Sequence, residues 1–142
     1  MKKIIPIIGI ILLASLFSAC GNSLPASLTD VKMCNDADSE GMCSTDNSSF
    51  STSDGDIYLS AQLENVSEGM KVQASWSLLK GEPGTSPREI SSFTAAAPDS
   101  GSLPFHTYLS PPGEDWSRGD YEVILTLLIE NSQPVSKPFT IK

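Results

Sequence analysis

The sequence predicts one all-β domain, an antiparallel β-sandwich of about six to seven strands, behind an N-terminal export segment and a flexible tether. Alternating apolar and polar residues recur through the second half of the chain, and turn-forming residues separate these stretches. No stretch shows a convincing helical period. The length of 142 residues fits a single core, since domains usually contain about 100 to 150 residues.

The first residues have the composition of a secretory signal peptide. Lys2 and Lys3 precede an apolar stretch that covers residues 4–17. This stretch is shorter than the roughly 20 apolar residues that span a bilayer, but it matches the apolar core of a signal peptide. We therefore predict that the protein is exported and that residues 1–19 are its signal peptide.

The end of this segment, Leu16-Phe17-Ser18-Ala19-Cys20, resembles the lipobox of bacterial lipoproteins. The resemblance implies cleavage before Cys20 and acylation of its thiol, which would anchor the mature chain in a lipid bilayer. The family prefers leucine three positions before the cysteine, where this chain has Phe17. Ordinary cleavage after Gly21 and an uncleaved anchor are the alternatives. Because Gly21 is not aspartate, the resemblance favours the outer membrane if the organism is Gram-negative, and places the domain in the extracytoplasmic cell envelope.

The charge of the chain excludes some partners. The formal net charge is −8, and the loss of Lys2 and Lys3 with the signal peptide lowers it by two further units, to −10. The remaining lysines and arginines are scattered singly, whereas proteins that bind phosphate backbones cluster them. Nucleic acid and anionic lipid surfaces are therefore poor candidate partners.

The chain has three cysteines, and an odd number would leave one thiol unpaired in an oxidising compartment. Acylation of one cysteine would leave an even number. If Cys20 carries the acyl chains, Cys34 and Cys43 remain and can form a disulfide. The closed loop would stabilise the fold by about 2.5 to 3 kcal/mol on the chain-entropy model. A metal site or free thiols are the alternatives, but a structural zinc needs four nitrogen or sulfur ligands and no histidine lies nearby. We expect neither a metal nor a cofactor.

The polar residues 20–33 are expected to form the tether, and residues 34–142 the sandwich with an N-terminal disulfide loop. A short strand is possible at Phe50. Residues 57–64 and 70–78 alternate clearly and are expected to pair as a hairpin. The later strands are predicted over 89–97, 103–109, 121–130 and 135–141, with Pro104 marking an edge strand and 121–130 a central one.

The segment Trp116-Ser117-Arg118-Gly119-Asp120-Tyr121-Glu122-Val123, with the closing Phe139-Thr140-Ile141, resembles the last hairpin of immunoglobulin-like domains in bacterial exported proteins. The resemblance covers about residues 50–142. It implies that Trp76 is the core tryptophan between the two sheets, without the inter-sheet cysteine pair of antibody domains. Such a resemblance concerns the fold and does not give a function.

The chain offers little for catalysis. His106 is the only histidine, and its position within a predicted strand is typical of a side chain that faces solvent. Motifs for a nucleophile elbow, a phosphate-binding loop or a zinc site do not occur. The carboxylate pair Glu114 and Asp115 lies in a loop. We expect no enzyme; a hydrolase would need a cleft in which His106 meets a hydroxyl or a carboxylate.

Asp36-Ala37-Asp38-Ser39-Glu40-Gly41 begins like a calcium-binding loop, with oxygen ligands at alternate positions and a glycine sixth. The pattern then fails, since Glu40 takes the fifth position and Asn47 the twelfth, where a bidentate glutamate is needed. A solvated acidic turn inside the disulfide loop is the favoured alternative.

These observations predict a non-catalytic envelope module that binds a protein or a glycan through two long loops, residues 80–88 and 110–120. Tyr108 and Trp116 are the candidate binding residues, because an aromatic side chain near a loop can anchor a sugar ring or a peptide. The alternative for Trp116 is that it covers the open end of the core. The alternative for the protein is a structural spacer without a specific ligand. The oligomeric state is not predicted.

Overall fold

The computed structural model describes residues 24–142, so the predicted signal peptide and Cys20 lie outside the described residues. Within residues 24–142, no helix is long and apolar enough to cross a membrane. The described chain forms eight strands: β1 (Ser27–Cys34), β2 (Ser49–Phe50), β3 (Ile57–Val66), β4 (Lys71–Lys80), β5 (Arg88–Ala96), β6 (Gly101–Leu109), β7 (Gly119–Leu127) and β8 (Val135–Ile141).

The strands form two sheets of unequal width. The smaller sheet has the order β1-β3-β6, and the larger has the order β2-β8-β7-β4-β5. All pairings are antiparallel except that of β2 with β8. The predicted all-β sandwich is confirmed, with β6 at an edge and β7 in the centre of its sheet as expected.

The core lies between the sheets because every second residue of the long strands points inward. Trp76 of β4 is 1% exposed and contacts Phe139 of β8 edge to face, with ring centroids 6.1 Å apart. Phe139 also stacks on Tyr121 of β7 at 5.3 Å and meets Phe50 of β2 at 5.9 Å. This aromatic cluster joins β2, β4, β7 and β8, and Trp76 occupies the position that the sequence predicts.

Strand β1 corrects the predicted tether, which extends too far into the chain. Ser27–Cys34 pairs with β3, so the ordered sheet includes residues that we expected to be flexible. The pairing shifts between Thr29 and Lys32, where Asp30 has a φ of 51°. This bulge lets Leu28 and Met33 lie opposite the inward-facing Leu63 and Leu59 although their numbers differ in parity. The strand therefore shows no simple alternation in the sequence.

The expected hairpin of residues 57–64 with 70–78 is wrong. β3 pairs with β1 and β6, whereas β4 pairs with β5 and β7 in the other sheet. The connection crosses from one sheet to the other, and the amide of Gly69 donates to the carbonyl of Ala97 at 2.9 Å. The amide of Ala97 donates in turn to the carbonyl of Met70 at 2.8 Å. Alternation identifies each strand, but it does not identify the partner.

A disulfide joins Cys34 to Cys43, as predicted. The loop that it closes lies on the outer face of the smaller sheet, where the amide of Cys43 donates to Ser60 Oγ at 3.0 Å. Gly41 has a φ of 80° and packs so closely on the ring of His106 that an added Cβ would lie 2.5 Å from it. The disulfide loop therefore packs directly against the outer face of the smaller sheet.

Candidate binding groove along strand β5

Tyr108 is the predicted binding residue that the structure leaves accessible. Its side chain is 55% exposed and points away from the core on β6. Tyr58 lies directly opposite on β3, with the two ring centroids 5.6 Å apart and the rings tilted by 41°. The pair presents aromatic surface at the edge of the smaller sheet.

Trp116 is buried, in contrast to the exposed loop position predicted for a binding anchor. The side chain is 3% exposed, and its Nε1 donates to the carbonyl of Gly55 at 2.8 Å. Its ring also meets Tyr121 edge to face at 6.2 Å. Trp116 closes one end of the core, which is the alternative that its sequence position left open.

The two predicted loops do converge, and they enclose a pocket of about 260 Å³ at this end of the sandwich. Apolar side chains such as Leu78, Ile90 and Pro112 form part of its wall. Arg88 and Arg118 also line it, and they are the two arginines of the whole chain. The ion pairs found among residues 24–142 join Lys32 to Asp30 and Lys137 to Asp46, so both guanidinium groups stand without an acidic partner in the described chain. We call this space the arginine pocket.

Tyr121 forms a fixed wall of the arginine pocket. Burial raises the pKa of its phenol above the ordinary value, and the nearby charge of Arg88 offsets part of that rise. The protonated hydroxyl donates to the carbonyl of Ser117 at 2.7 Å. The wall is therefore neutral and rigid, and the positive charge in the pocket comes from the two arginines.

Two further pockets continue from this end along β5. The middle one, about 460 Å³, is bordered by Ser91, Ser92 and Phe93 on β5 and by Tyr108 on β6. The far one, about 330 Å³, lies beside Ala95, Ala96 and Leu103, and it shares Phe93 and His106 with the middle pocket. We call the three together the β5 groove. One end of it is cationic, the middle has both polar and aromatic walls, and the far end is largely apolar.

The groove exists because the sheets differ in width. β5 is the outermost strand of the five-stranded sheet, and its inward face extends beyond the three-stranded sheet. Phe93 shares a face with the buried Ala74 opposite it, yet it is 46% exposed. On its other side β5 has no strand partner among residues 24–142. A free strand edge offers backbone donors and acceptors to an added strand.

His106 is exposed on β6, as predicted, and lines the groove beside Ser91 and Ser92. Its ring rests against Gly41 of the disulfide loop. Within the described part of the chain, its imidazole forms no hydrogen bond with a hydroxyl or a carboxylate. Glu114 and Asp115 lie exposed in the 110–120 loop.

The acidic loop uses its central carboxylate to shape the backbone. Asp38 Oδ1 accepts hydrogen bonds from the amides of Glu40 and Met42, each at 2.9 Å. The described residues bring together no group of three or more His, Cys, Asp or Glu side chains that could hold a metal ion. The loop is a hydrogen-bonded turn inside the disulfide.

Sequence reasoning identified the two loops but missed the groove that continues from them. Two signals were present in the sequence. Residues 90–98 carry no charge, which is unusual for an edge strand, since edge strands commonly carry lysine or other charges against unwanted pairing. Each predicted loop also contains one of the two arginines.

Comparison of the chain with models of known protein families, and with the sequences of curated proteins, gives no match.

Proposed function

We propose that the chain is the precursor of a bacterial lipoprotein, anchored in an envelope membrane through acylated Cys20, whose sandwich is a non-catalytic module that binds a protein partner along the β5 groove. The observation that carries the binding role is the exposure of Phe93 on β5 and Tyr108 on β6, which border one pocket between the edge strands of the two sheets. The anchor rests on the lipobox resemblance of residues 16–20.

The position of β1 supports a short anchor. Ser27 starts the sandwich seven residues after Cys20, and an extended chain covers at most about 3.3 to 3.6 Å per residue. The domain would then lie within about 25 Å of the bilayer surface. Each buried methylene contributes about 0.8 kcal/mol, so two or three acyl chains would hold it firmly. The partner would therefore be met close to the membrane.

Three features support an immunoglobulin-like sandwich. Trp76 lies in the core between the two sheets, and the chain passes from one sheet to the other at every connection except β4 to β5 and β7 to β8. Near the start of β7, the hydroxyl of Tyr121 donates to the carbonyl of Ser117. A tyrosine that bonds back to the backbone at this corner is typical of immunoglobulin-like domains.

A protein partner is favoured over a glycan by the chemistry of the groove. A free strand edge matches the backbone of an extended peptide, and pockets beside it receive alternate side chains. Sugar rings are commonly bound on exposed aromatic faces, and the burial of Trp116 removes one of the two aromatic residues predicted for that role. Residues 90–96 of β5 carry no charge, and the far pocket beside them is largely apolar, which fits a polypeptide segment.

Photo-crosslinking in the native envelope tests the binding role. A photoreactive phenylalanine analogue would replace Phe93, which faces the groove, or Thr94, which is exposed on the opposite face of the same strand. We expect a protein adduct of one defined mass from position 93 and none from position 94. An adduct with carbohydrate at position 93, or equal adducts at both positions, would contradict the proposal.

The anchor has its own test. Cys20→Ser removes the thiol that acylation requires, so a radioactive fatty acid should label the wild-type chain and leave the variant unlabelled. Equal labelling of the two chains would contradict the lipobox.

A further inference from the structure

We propose that the partner segment adds to β5 as an antiparallel strand and places a carboxylate at its carboxyl end in the arginine pocket, between Arg88 and Arg118. This inference rests on the proposed function, because it assumes that a polypeptide occupies the β5 groove. It adds the direction of the bound segment and the chemical group that fixes that direction.

The positive charge of the β5 groove lies at one end, in the arginine pocket. The chain has a net charge of −8 and two arginines, and both arginines line one pocket. An arginine guanidinium matches the planar, two-oxygen geometry of a carboxylate and forms paired charge-assisted hydrogen bonds with it. The ion pairs of the described chain do not include either arginine, so both have donors available for a ligand.

The position of the arginine pocket along β5 fixes the direction of an added strand. Arg88 is the first residue of β5, so the arginine pocket lies where β5 begins. An antiparallel partner strand ends at that point, which brings its carboxyl end to the two arginines. A parallel partner would begin there and bring its amino end to them. An ammonium group beside two guanidinium groups is repelled, and the pocket therefore selects the antiparallel direction.

The net negative charge of the protein limits the charge of the ligand. This net charge would repel a polyanion. A single carboxylate in the pocket is instead attracted mainly by the two nearby guanidinium groups. The pocket volume of about 260 Å³ also suits one terminal group or one short side chain. A terminal carboxylate and a final Asp or Glu side chain have this chemistry in common.

Glu82 is the acidic residue that lines the same pocket. Its charge opposes an incoming carboxylate, since like charges in one pocket repel each other. Glu82→Gln should therefore strengthen binding of the carboxylate, in the direction opposite to the arginine variants. A merely structural role of these three side chains would not produce opposite effects of this kind.

The test is a selection of peptides by the full chain, expressed with its leader and purified in mild detergent. The probes are two random libraries of ten-residue peptides, one with free carboxyl termini and one with carboxyl-terminal amides. We expect enrichment from the free library. Amidation of an enriched peptide should weaken its binding about tenfold or more, because it removes charge-assisted hydrogen bonds, and acetylation of its amino terminus should change binding less than about twofold.

Variants separate this inference from the proposed function. Arg88→Gln with Arg118→Gln should remove the difference between free and amidated peptides, and Phe93→Ser should weaken both forms equally. Enriched peptides that bind equally well as acids and amides would overturn the inference and leave the binding groove intact. Failure to enrich any peptide would overturn both proposals. Enrichment of amidated peptides with Asp or Glu near their carboxyl end would support the inference and assign the carboxylate to a side chain.

Discussion

The two lateral sides of the sandwich are built differently. On one side, which we call the closed side, β1 of the smaller sheet lies beside β2 and β8 of the larger sheet, and residues 46–48, after the disulfide loop, bond to both sheets. On the other, the open side, β5 extends past β6 and leaves the β5 groove between the sheet edges. The disulfide and the ion pairs of the described chain all involve β1, β8 or the segment between β1 and β2. The open side has no such link within residues 24–142 and exposes apolar side chains such as Phe93.

Asp46 shows how the closed side is held. Its carboxylate accepts the amide of Met33 in the smaller sheet at 2.9 Å and the Nζ of Lys137 in the larger sheet at 2.6 Å. Burial alone would raise the pKa of Asp46, but these two hydrogen bonds and the charges of Lys137 and Lys32 hold it below its ordinary value. One exposed carboxylate thus links both sheets. No residue of the open side is linked in this way within the described chain.

The largest expected effect is in the core that both sides share. Trp76→Ala removes a side chain that is almost completely buried, and such truncations cost about 3 to 5 kcal/mol. Urea unfolding should show this loss, whereas His106→Ala, on the exposed face of β6, should change the free energy of unfolding by less than about 0.5 kcal/mol. A loss below about 1 kcal/mol for Trp76→Ala would contradict the assigned core.

The next largest effect should come from the covalent link on the closed side. Cys34→Ser with Cys43→Ser opens the disulfide loop and should lower the free energy of unfolding by about 2.5 to 3 kcal/mol. Reduction of the wild-type protein should lower it by a similar amount and should leave the double variant unchanged. Equal stability of the oxidised and reduced wild type would show that the loop is held by packing alone.

A smaller, pH-dependent effect is expected from Asp46. Because its pKa is lowered on folding, its ionised form stabilises the fold above the unfolded-state value, and this stabilisation is lost as the pH falls through the lower folded-state value. Lys137→Met should therefore cost up to about 1 kcal/mol near pH 7, since the pair is partly exposed. The difference from wild type should shrink below about pH 4. A difference that persists unchanged at pH 2 would contradict this cause.

The smallest effect on stability should come from the open side. Phe93→Ser removes a large apolar side chain, but that side chain is 46% exposed, so the free energy of unfolding should fall by no more than about 1 kcal/mol. Partner binding should nevertheless be lost. A destabilisation above about 2 kcal/mol would mean that Phe93 serves the core and would remove it from the proposed site.

The sequence predicted the strands well where alternation is regular. Residues 57–64 and 70–78 show the strand period because one face of each is buried, and β3 and β4 appear there. The period carries no information on the partner, and the hairpin expected between them is replaced by a crossing between sheets. In β1 the bulge between Thr29 and Lys32 moves the inward-facing positions from even to odd residue numbers. The sequence of β1 therefore lacks the regular alternation by which β3 and β4 were predicted.

The site was predicted only in part, for a related reason. Tyr108 and the two loops follow from local sequence, because turn residues and strand position determine them. The burial of Trp116 depends on Gly55, 61 residues away, which accepts its indole hydrogen bond. The β5 groove depends on the unequal number of strands in the two sheets, which is a property of the whole topology. Such long-range relations are not visible in local periodicity.

Hydrogen exchange tests most directly the claim that the open side binds the partner. The full chain would be compared alone and with an enriched peptide, and protection would be mapped along the strands. The account predicts slower exchange of amides in β5 (Arg88–Ala96), with no change in β1 (Ser27–Cys34), because an added strand pairs with the free edge of β5. Protection of β1 without protection of β5 would contradict it.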